Sequence, residues 1–480
     1  MNKHVIRYTL GKMIRIEGLL MLLPALVGLI YREKTGFVYL GTGLVIFILG
    51  HFLGKNKPKK DTIYPREGFL IVALSWLVLS FFGAFPFYLT GEMPHFIDAF
   101  FEIVSGFTTT GSSILTDIES LSHAALFWRS FSHWIGGMGI LVFVVAFLRD
   151  APGTTMNILK AEMPGPIVGK LVSKTTDTTR LLYIIYSFMT ILQVILLMLG
   201  GMSLFDSLLN SFGTAGTGGF AIKNASIAAY NNAYYDGVIT VFMILFGINF
   251  NVFYLMAIRK FKEAFKCEEM RWYLLIIAVS VGLITINITS MYHSVIKAFR
   301  FASFQVASII TTTGYATADF DKWPLFSKTI LVLLMFVGAC AGSTGGGMKV
   351  SRIVIYIKNA FAEMKHLVHP HSIHSIRFEN KPIHSSMINN IHTYMVLYFM
   401  IFCSSLLIIA LQNIDFTSAF TAVATCLNNV GPGLNLVGPT SNFSSLSDLS
   451  KLVLSFDMLA GRLEIFPILV LFSKSTWKRK

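Results

Sequence analysis

Charged residues are scarce in this chain: they make up 13% of its 480 residues, whereas hydrophobic residues make up 54%. A soluble domain carries about 25% charged residues, because its surface must be covered by groups that water solvates. The composition therefore excludes a soluble globular protein and predicts one that is embedded in a membrane.

Cysteine and the common catalytic motifs are also scarce. The four cysteines have no paired spacing: Cys267, Cys340, Cys403 and Cys426. They predict neither a disulfide framework nor a zinc site. The chain has no Walker sequence, no hydrolase nucleophile elbow and no Gly-x-Gly-x-x-Gly turn after a strand. We therefore expect no nucleotide site or organic cofactor in it, and nothing recommends a membrane-embedded enzyme.

Long apolar runs fill most of the chain, and about 20 apolar residues suffice to cross a bilayer as a helix. Ten spans are predicted: 12–30, 37–54, 69–90, 124–148, 181–201, 236–258, 272–292, 326–355, 393–413 and 449–472. Lys and Arg cluster on one side of them, at 55–60, 149–180, 259–271, 349–381 and in the final Trp-Lys-Arg-Lys. By the positive-inside rule this side is cytoplasmic and holds both termini. The rule also accounts for the net charge of +14 without nucleic acid as a partner.

Four shorter stretches on the opposite side share one pattern: 95–120, 205–230, 299–322 and 416–445. Their anchors are Gly111, Gly219, Gly314 and Gly431. A small residue stands twelve places before each anchor: Ala99, Ser207, Ala302 and Ala419. Another glycine stands 28 places after the first three anchors, at Gly139, Gly247 and Gly342, and Gly461 follows two places later in the fourth. This register predicts a unit of span, half-helix, strand-like segment and span that occurs four times.

The repeat divides the chain into five parts. We expect an N-terminal two-helix hairpin at 1–60, followed by repeats at 61–150, 151–265 and 266–360, and a basic linker with the fourth repeat at 361–480. The predicted fold is therefore an all-α polytopic membrane protein, with four helix–pore loop–helix repeats in pseudo-fourfold arrangement and two extra N-terminal helices.

The repeated loops are suited to bind a monovalent cation. Non-helical backbone at membrane depth is tolerated where it is buried in protein or lines water, and converging carbonyls can replace the hydration shell of an ion. The candidate filter residues are Thr109, Thr110, Gly111, Gly218, Gly219, Thr312, Thr313, Gly314, Asn429, Val430 and Gly431. The alternative, ordinary polar loops with turn glycines, is disfavoured by four copies in one register.

The loop motifs resemble those of a known family. They are Ser105-Gly106-Phe107-Thr108-Thr109-Thr110-Gly111, Thr217-Gly218-Gly219-Phe220, Thr311-Thr312-Thr313-Gly314-Tyr315 and Asn428-Asn429-Val430-Gly431-Pro432-Gly433. Over nearly its whole length the chain resembles the Trk/Ktr/HKT superfamily of potassium transporters, in particular its TrkH branch. The resemblance implies one potassium pore per chain, homodimers in the bacterial inner membrane, and control by a cytosolic nucleotide-binding subunit of TrkA type. Relatives with serine at the first anchor conduct sodium, so Gly111 favours potassium.

A glycine-rich run interrupts the eighth predicted span. Each glycine costs about 1 kcal/mol in a helix relative to alanine, so this run predicts a broken helix. By resemblance, the loop is a gate beneath the filter, formed by Gly342, Ser343, Thr344, Gly345, Gly346 and Gly347. Close helix packing through small residues is the alternative.

Arg462 lies deep in the tenth predicted span, where a lipid-facing charge would cost at least about 2.5 kcal/mol. By resemblance, it projects into the pore near the gate loop. The alternative is a structural ion pair with Asp457 or Glu464. Arg129 and Arg352 are predicted to anchor their spans at the membrane surface.

Six histidines fall within 366–392: His366, His369, His371, His374, His384 and His392. A solvated or partner-docking linker is favoured over a metal site. The sequence as a whole predicts potassium uptake driven by the membrane potential. A proton- or sodium-coupled symporter is the alternative, although few intramembrane carboxylates are available for coupling.

Overall fold

The computed structural model describes residues 3–58, 65–139, 175–371 and 375–477. Residues 140–148 of the predicted span 124–148, most of the basic segment 149–180, His374 and the final Lys-Arg-Lys lie outside the described residues. The N-terminal part consists of α1 (Lys3–Leu20), α2 (Leu22–Ile30) and α3 (Thr35–Leu53). A turn at Met21 separates α1 from α2, and α3 packs antiparallel along both.

The helix–half-helix–helix unit follows four times. The first unit has α4 (Pro65–Leu89), α5 (Phe96–Phe107) and α6 (His123–Gly137), and the second has α7 (Thr175–Leu199), α8 (Leu204–Ala215), α9 (Ala233–Phe246) and α10 (Phe250–Ala257). After the short α11 (Phe261–Phe265), the third has α12 (Glu268–Tyr292), α13 (Val295–Ile310), α14 (Leu325–Val337) and α15 (Val350–Val368). The fourth has α16 (Ser385–Ala410), α17 (Phe416–Asn428), α18 (Asp448–Arg462), α19 (Phe466–Phe472) and α20 (Lys474–Trp477). The order of elements matches the predicted all-α polytopic fold.

A two-stranded hairpin that the sequence did not predict lies between the third and fourth units. Its strands are β1 (Arg377–Phe378) and β2 (Lys381–Pro382), which pair antiparallel with Arg377 opposite Pro382. Glu379 and Asn380 form its turn, both with left-handed backbone. Single 3-10 turns occupy Ser226–Tyr230, Phe320–Lys322 and Asn435–Val437 in the outer halves of three loops.

The half-helices α5, α8, α13 and α17 are the pore helices, and they are too short to cross a bilayer. Three of them begin at a residue whose side chain caps the first turn, namely Ser203, Ser294 and Asp415. Such a cap satisfies a backbone N–H that has no partner within the helix. The last six residues of each pore helix are buried, so the four helix ends converge inside the protein.

The first and second helices of the units differ in continuity. Among the described residues, six helical segments are long and apolar enough to cross a membrane: 3–30, which includes the turn at Met21, 35–53, 66–89, 180–199, 268–292 and 385–410. They are the N-terminal pair and the first helix of each unit. The second helices are short or broken, and α9 meets α10 at an angle of 92°.

The break in the eighth predicted span is confirmed, because α14 ends at Val337 and α15 begins at Val350. The predictions of continuous spans at 236–258 and 449–472 are wrong. Gly247 follows the last residue of α9, and Asn249 caps α10. In the fourth unit the chain turns at Glu464 and Ile465, which both have left-handed backbone, so α18 cannot continue into α19.

Candidate ion-permeation site

The four anchor glycines form a closed ring in which each one faces the backbone of the next loop. A Cβ built on any of them would collide with the carbonyl oxygen of the residue that precedes the next anchor. In ring order these distances are 2.1 Å from Gly111 to Gly218, 1.8 Å from Gly219 to Thr313, 2.2 Å from Gly314 to Val430 and 2.8 Å from Gly431 to Thr110. The loops therefore follow one another around an axis in chain order, and only glycine fits at the anchors.

All four loops reverse their backbone handedness at the same two positions. The anchors have φ between +72° and +100°, and the residues two places earlier have φ between +53° and +59°: Thr109, Thr217, Thr312 and Asn429. A left-handed conformation costs about 1–2 kcal/mol at a residue with a side chain. Such strain persists where the surrounding structure imposes it, which is common at functional sites.

The side chains of the loops differ, although their backbones are alike. In loops one and three, hydroxyls two residues apart share a hydrogen bond of 2.8 Å, between Thr108 and Thr110 and between Thr311 and Thr313. In loop four, Asn429 donates from Nδ2 to Thr110 Oγ1 at 2.9 Å. All eleven predicted filter residues lie in this ring or within two residues before an anchor.

The loop between α14 and α15 lies directly against the inner end of the ring. The N–H of Gly346 donates to Thr312 Oγ1 at 2.6 Å, and the N–H of Gly347 donates to the carbonyl of Asn428 at 3.0 Å. A Cβ on Gly345 would lie 2.9 Å from the carbonyl oxygen of Thr311. Of the six predicted gate residues, 342–347, the last three therefore contact the third and fourth filter loops.

The loop between α14 and α15 also bonds to the break between α9 and α10 of the second unit. Its Thr344 N–H and hydroxyl both donate to the carbonyl of Phe246, and its Cys340 N–H donates to the carbonyl of Gly247. In return, the N–H of Phe250 donates to the carbonyl of Gly342 at 3.0 Å. The broken helices of the second and third units thus satisfy each other's backbone groups.

Glu269 joins the two ends of this loop, and sequence reasoning missed it. Its Oε1 accepts from the N–H of Ala341 at 2.7 Å and from the N–H of Ser351 at 3.1 Å. The carboxylate is buried in the first turn of α12. One side chain therefore bridges the loop's N-terminal part and the start of α15.

Arg462 connects the fourth unit to the first and the third. It donates to the carbonyls of Thr344 at 2.8 Å, Gly136 at 2.5 Å and Gly137 at 2.7 Å. Gly136 and Gly137 end α6, where the helix dipole is negative. Of its two predicted partners, Asp457 accepts from Ser405 Oγ at 2.7 Å. Glu464, the other, pairs with Arg352.

A cavity of about 60 Å³ lies beside the gate loop. Residues 345–347 line it together with Trp76, Lys349, Arg462 and Glu464. Two cationic side chains and one carboxylate therefore border the space next to the loop.

Two arginines predicted to lie at the membrane surface are buried instead. Arg129 is 2% exposed, and its Nε lies 2.6 Å from Glu102 Oε1. Arg352 pairs with Glu464, and its guanidinium lies 4.3 Å from the ring centroid of Tyr394. Neither ion pair was predicted, because each acidic partner comes from another element, which position along a span does not reveal.

The β1–β2 hairpin connects to the N-terminus of α12. Glu379 accepts from the N–H of Glu269 at 3.1 Å and from Cys267 Sγ at 3.3 Å, while its own N–H donates to Glu268 at 3.1 Å. Burial raises the pKa of the Cys267 thiol to about 12, so the thiol stays protonated and can donate. A chain of contacts thus runs from the hairpin through Glu269 to the gate loop.

The histidine-rich linker contains no candidate metal centre in its described part, since no group of three His, Cys, Asp or Glu side chains gathers there. His392 Nε2 lies 3.3 Å from Asn359 Nδ2, which ties α16 to α15. The solvated or partner-docking role of the linker stays a prediction.

Comparison with known proteins places this geometry in context. Residues 35–479 match the family model described as TrkH, a cation transport protein. The chain is 38% identical over 478 residues to the Trk system potassium uptake protein TrkH of Escherichia coli K12, covering 97% of this chain and 98% of that protein. It is 33% identical to the TrkH of Halomonas elongata over the full length of both chains. The crystal structure of the potassium transporter TrkH from Vibrio parahaemolyticus superposes with a TM-score of 0.89, at 33% identity, and covers all of both chains.

Proposed function

Because this chain belongs to the TrkH family of cation transport proteins, we propose that it takes up potassium across the bacterial inner membrane through the ring of filter loops. The observation that carries the proposal is the closure of that ring, in which four preceding carbonyls face four anchor glycines in chain order. Rings of carbonyl dipoles bind a dehydrated monovalent cation weakly enough to release it. The transported ion is then K⁺, bound at the eleven filter residues.

The membrane potential is the proposed driving force. It supplies about 2.3 kcal/mol per elementary charge for each 100 mV, which favours entry of a cation into the cell. Each pore helix directs its negative C-terminal end toward the ring, which further favours a cation there.

The proposed gate is formed by residues 342–347 with Arg462. The loop is supported in this role by its hydrogen bonds to Thr312 and Asn428, because a closed gate must lie on the inner side of the filter. Arg462 places a fixed positive charge beside the loop and opposes the presence of K⁺. Opening then requires the loop to leave these contacts.

A cytosolic nucleotide-binding subunit of TrkA type is the proposed regulator, and we infer that the chain works as a homodimer. The relatives are named as parts of a Trk system, which supports additional subunits. The β1–β2 hairpin lies on the side predicted to be cytoplasmic and contacts the N-terminus of α12 through Glu379. Movement of the hairpin by a docked partner would reach the gate loop through Glu269.

Flux measurements on reconstituted protein test the filter. We expect liposomes containing the full chain to take up K⁺ and Rb⁺ in preference to Na⁺, and Gly314→Ser to reduce that preference. Gly282→Ser is a matched control. Gly282 lies in the same unit as Gly314, and a Cβ at Gly282 would have no neighbouring atom within 4 Å. Unchanged selectivity in Gly314→Ser, or equal loss in both variants, would refute the filter assignment.

A proton-coupled symporter is the second candidate, and one observation favours it. Asp457 is buried in α18, and its Oδ2 has no hydrogen-bond partner among the described residues. An intramembrane carboxylate of this kind could carry a proton. If flux at a clamped voltage follows an imposed pH gradient and Asp457→Asn abolishes that dependence, the symporter is correct.

A further inference from the structure

The second filter loop has less support of its own than the others. It runs Gly216-Thr217-Gly218-Gly219, so three of its four residues have no side chain to hold it. Thr217 donates only to the adjacent carbonyl of Gly216, at 2.6 Å. Glycine loses the most conformational freedom on folding, so this segment needs contacts from outside to keep one shape.

His133, on α6 of the first unit, supplies one such contact. Its Nδ1 lies 2.7 Å from the carbonyl of Gly106 at the end of α5, and its Nε2 accepts from the N–H of Phe220 at 3.2 Å. The partners assign the tautomer, because a carbonyl requires a donor at Nδ1 and an N–H requires an acceptor at Nε2. A Cβ on Gly218 would lie 2.3 Å from the imidazole, so the ring also packs against the filter backbone.

Arg129, one turn earlier on α6, supplies the second contact. It donates from Nη1 to the carbonyl of Ala221 at 2.7 Å, and its guanidinium lies 3.7 Å from the ring centroid of Phe220. Glu102 on α5 balances the charge and accepts from the N–H of Ile114 at 2.9 Å. The ion pair therefore links the outgoing strand-like segments of the first and second loops.

Two other pairs of neighbouring loops, the first with the fourth and the second with the third, are joined by their own side chains. Ser112 of the first loop donates to the carbonyl of Gly431 at 3.2 Å, and Tyr315 of the third donates to Phe220 at 3.5 Å. Between the first and second loops, the described side-chain bonds at filter level come from α6 instead.

We propose that His133 and Arg129 are positioning residues that hold the second filter loop in register and thereby set the preference of the pore for K⁺ over Na⁺. This inference rests on the proposed filter and extends it to side chains outside the four loops. His133 fixes the backbone just after Gly219 through the N–H of Phe220, and Arg129 fixes the following residue through the carbonyl of Ala221. Without them, the Gly218 carbonyl would lose its fixed place in the ring, and ions of different size would be accepted more equally.

The test uses the full chain in liposomes and measures ⁸⁶Rb⁺ and ²²Na⁺ uptake at one clamped voltage. His133→Phe keeps a ring against Gly218 but removes both hydrogen bonds, and we expect the Rb⁺/Na⁺ ratio to fall about tenfold, which is within the range for the loss of two buried hydrogen bonds. His133→Gln, which keeps a donor and an acceptor, should retain more of the ratio. Trp134→Phe is the matched control, because it removes a hydrogen bond from the same helix to Thr190, away from the filter.

The uptake ratios of these variants decide the proposal. A lowered ratio in His133→Phe, with partial recovery in His133→Gln and none lost in Trp134→Phe, supports it. An unchanged ratio, even with reduced total uptake, would show a purely structural role and overturn it.

If His133→Phe does not fold, Arg129→Lys decides the proposal. Lysine keeps the charge beside Glu102 but has no planar guanidinium to bond to Ala221 as well. An unchanged ratio in Arg129→Lys would then overturn the proposal. Gly314→Ser, measured in parallel, separates the two levels: when it shifts the ratio and the α6 variants do not, the filter stands and the positioning role fails.

Discussion

Alanine at Gly219 should damage ion selectivity far more than alanine at Gly431, although the two glycines occupy equivalent places in the ring. A Cβ at Gly219 would lie 1.8 Å from the Thr313 carbonyl oxygen, whereas one at Gly431 would lie 2.8 Å from that of Thr110. Ordinary contact begins at 3.4 Å, so the carbonyls would have to withdraw by about 1.6 Å and about 0.6 Å. Both glycines have positive φ, so both alanines pay a left-handed cost of about 1–2 kcal/mol, and that cost largely cancels in the comparison.

The two displacements exceed what a binding site tolerates by very different margins. Functional groups must be held within about 0.5 Å of their productive geometry, so a shift of about 1.6 Å destroys a carbonyl site, whereas one of about 0.6 Å is close to the tolerance and only weakens it. We expect Gly219→Ala to lower the Rb⁺/Na⁺ uptake ratio by more than tenfold and Gly431→Ala to lower it by about threefold or less. The assay is paired isotope uptake into liposomes at equal protein content, with size-exclusion profiles to show that both variants fold. Equal losses, or a larger loss in Gly431→Ala, would refute the steric reasoning.

Three further predictions concern the gate and the buried charges. Deleting 345–347 should raise Rb⁺ uptake in the absence of any partner, because the loop then no longer reaches the filter. Unchanged or reduced uptake would contradict the assignment of this loop as the gate. Glu379→Ala should raise Rb⁺ uptake a few-fold because it loosens the hairpin from α12, and this is the range expected for a coupling free energy of about 0.5–2 kcal/mol. The control Glu263→Ala, at an exposed ion pair, should leave the uptake unchanged. Arg352→Met should lower the thermal unfolding temperature strongly, because breaking a buried ion pair costs about 3–5 kcal/mol. Lys260→Met, at an exposed ion pair, is the control and should change the stability by about 1 kcal/mol or less. Similar shifts in both variants would show that the pair of Arg352 with Glu464 is not stabilising.

The repeat could be predicted from the sequence because only glycine fits where a positive φ coincides with a close carbonyl oxygen. Such a place occurs at each of the four anchors, so the equal spacing of these glycines indicated the four loops of the ring. The breaks in the second helices were predicted only where glycines crowd together. Gly247 and Gly461 follow their anchors at a similar spacing, and Gly247 does follow the last residue of α9. The segments around both glycines are apolar, however, so the sequence predicted continuous spans there and no bend. The turn at Glu464 and Ile465 has no glycine at its left-handed residues and gave no signal.

The supporting side chains could not be predicted, because their partners are far away in the chain. Glu269 bonds to backbone N–H groups 72 and 82 residues later, and backbone donors have no sequence signature. His133 bonds to backbone groups of Gly106 and Phe220, 27 residues earlier and 87 residues later, and neither partner has a sequence signature. Arg129 was assigned to the membrane surface because its partner Glu102, 27 residues earlier, lies on a pore helix and not on a neighbouring turn.

The three carbonyls that bind Arg462 connect the external K⁺ concentration to the opening of the proposed gate. Carbonyl oxygens of Thr344, Gly136 and Gly137 bind a guanidinium here, yet the same groups are ligands that an arriving K⁺ also seeks. Under the proposed gating, the arginine is thus a tethered competitor of the transported ion. A K⁺ that descends from the proposed filter would weaken its hold on these oxygens, so we expect the rate of opening to rise with external K⁺ itself, independently of any regulatory protein.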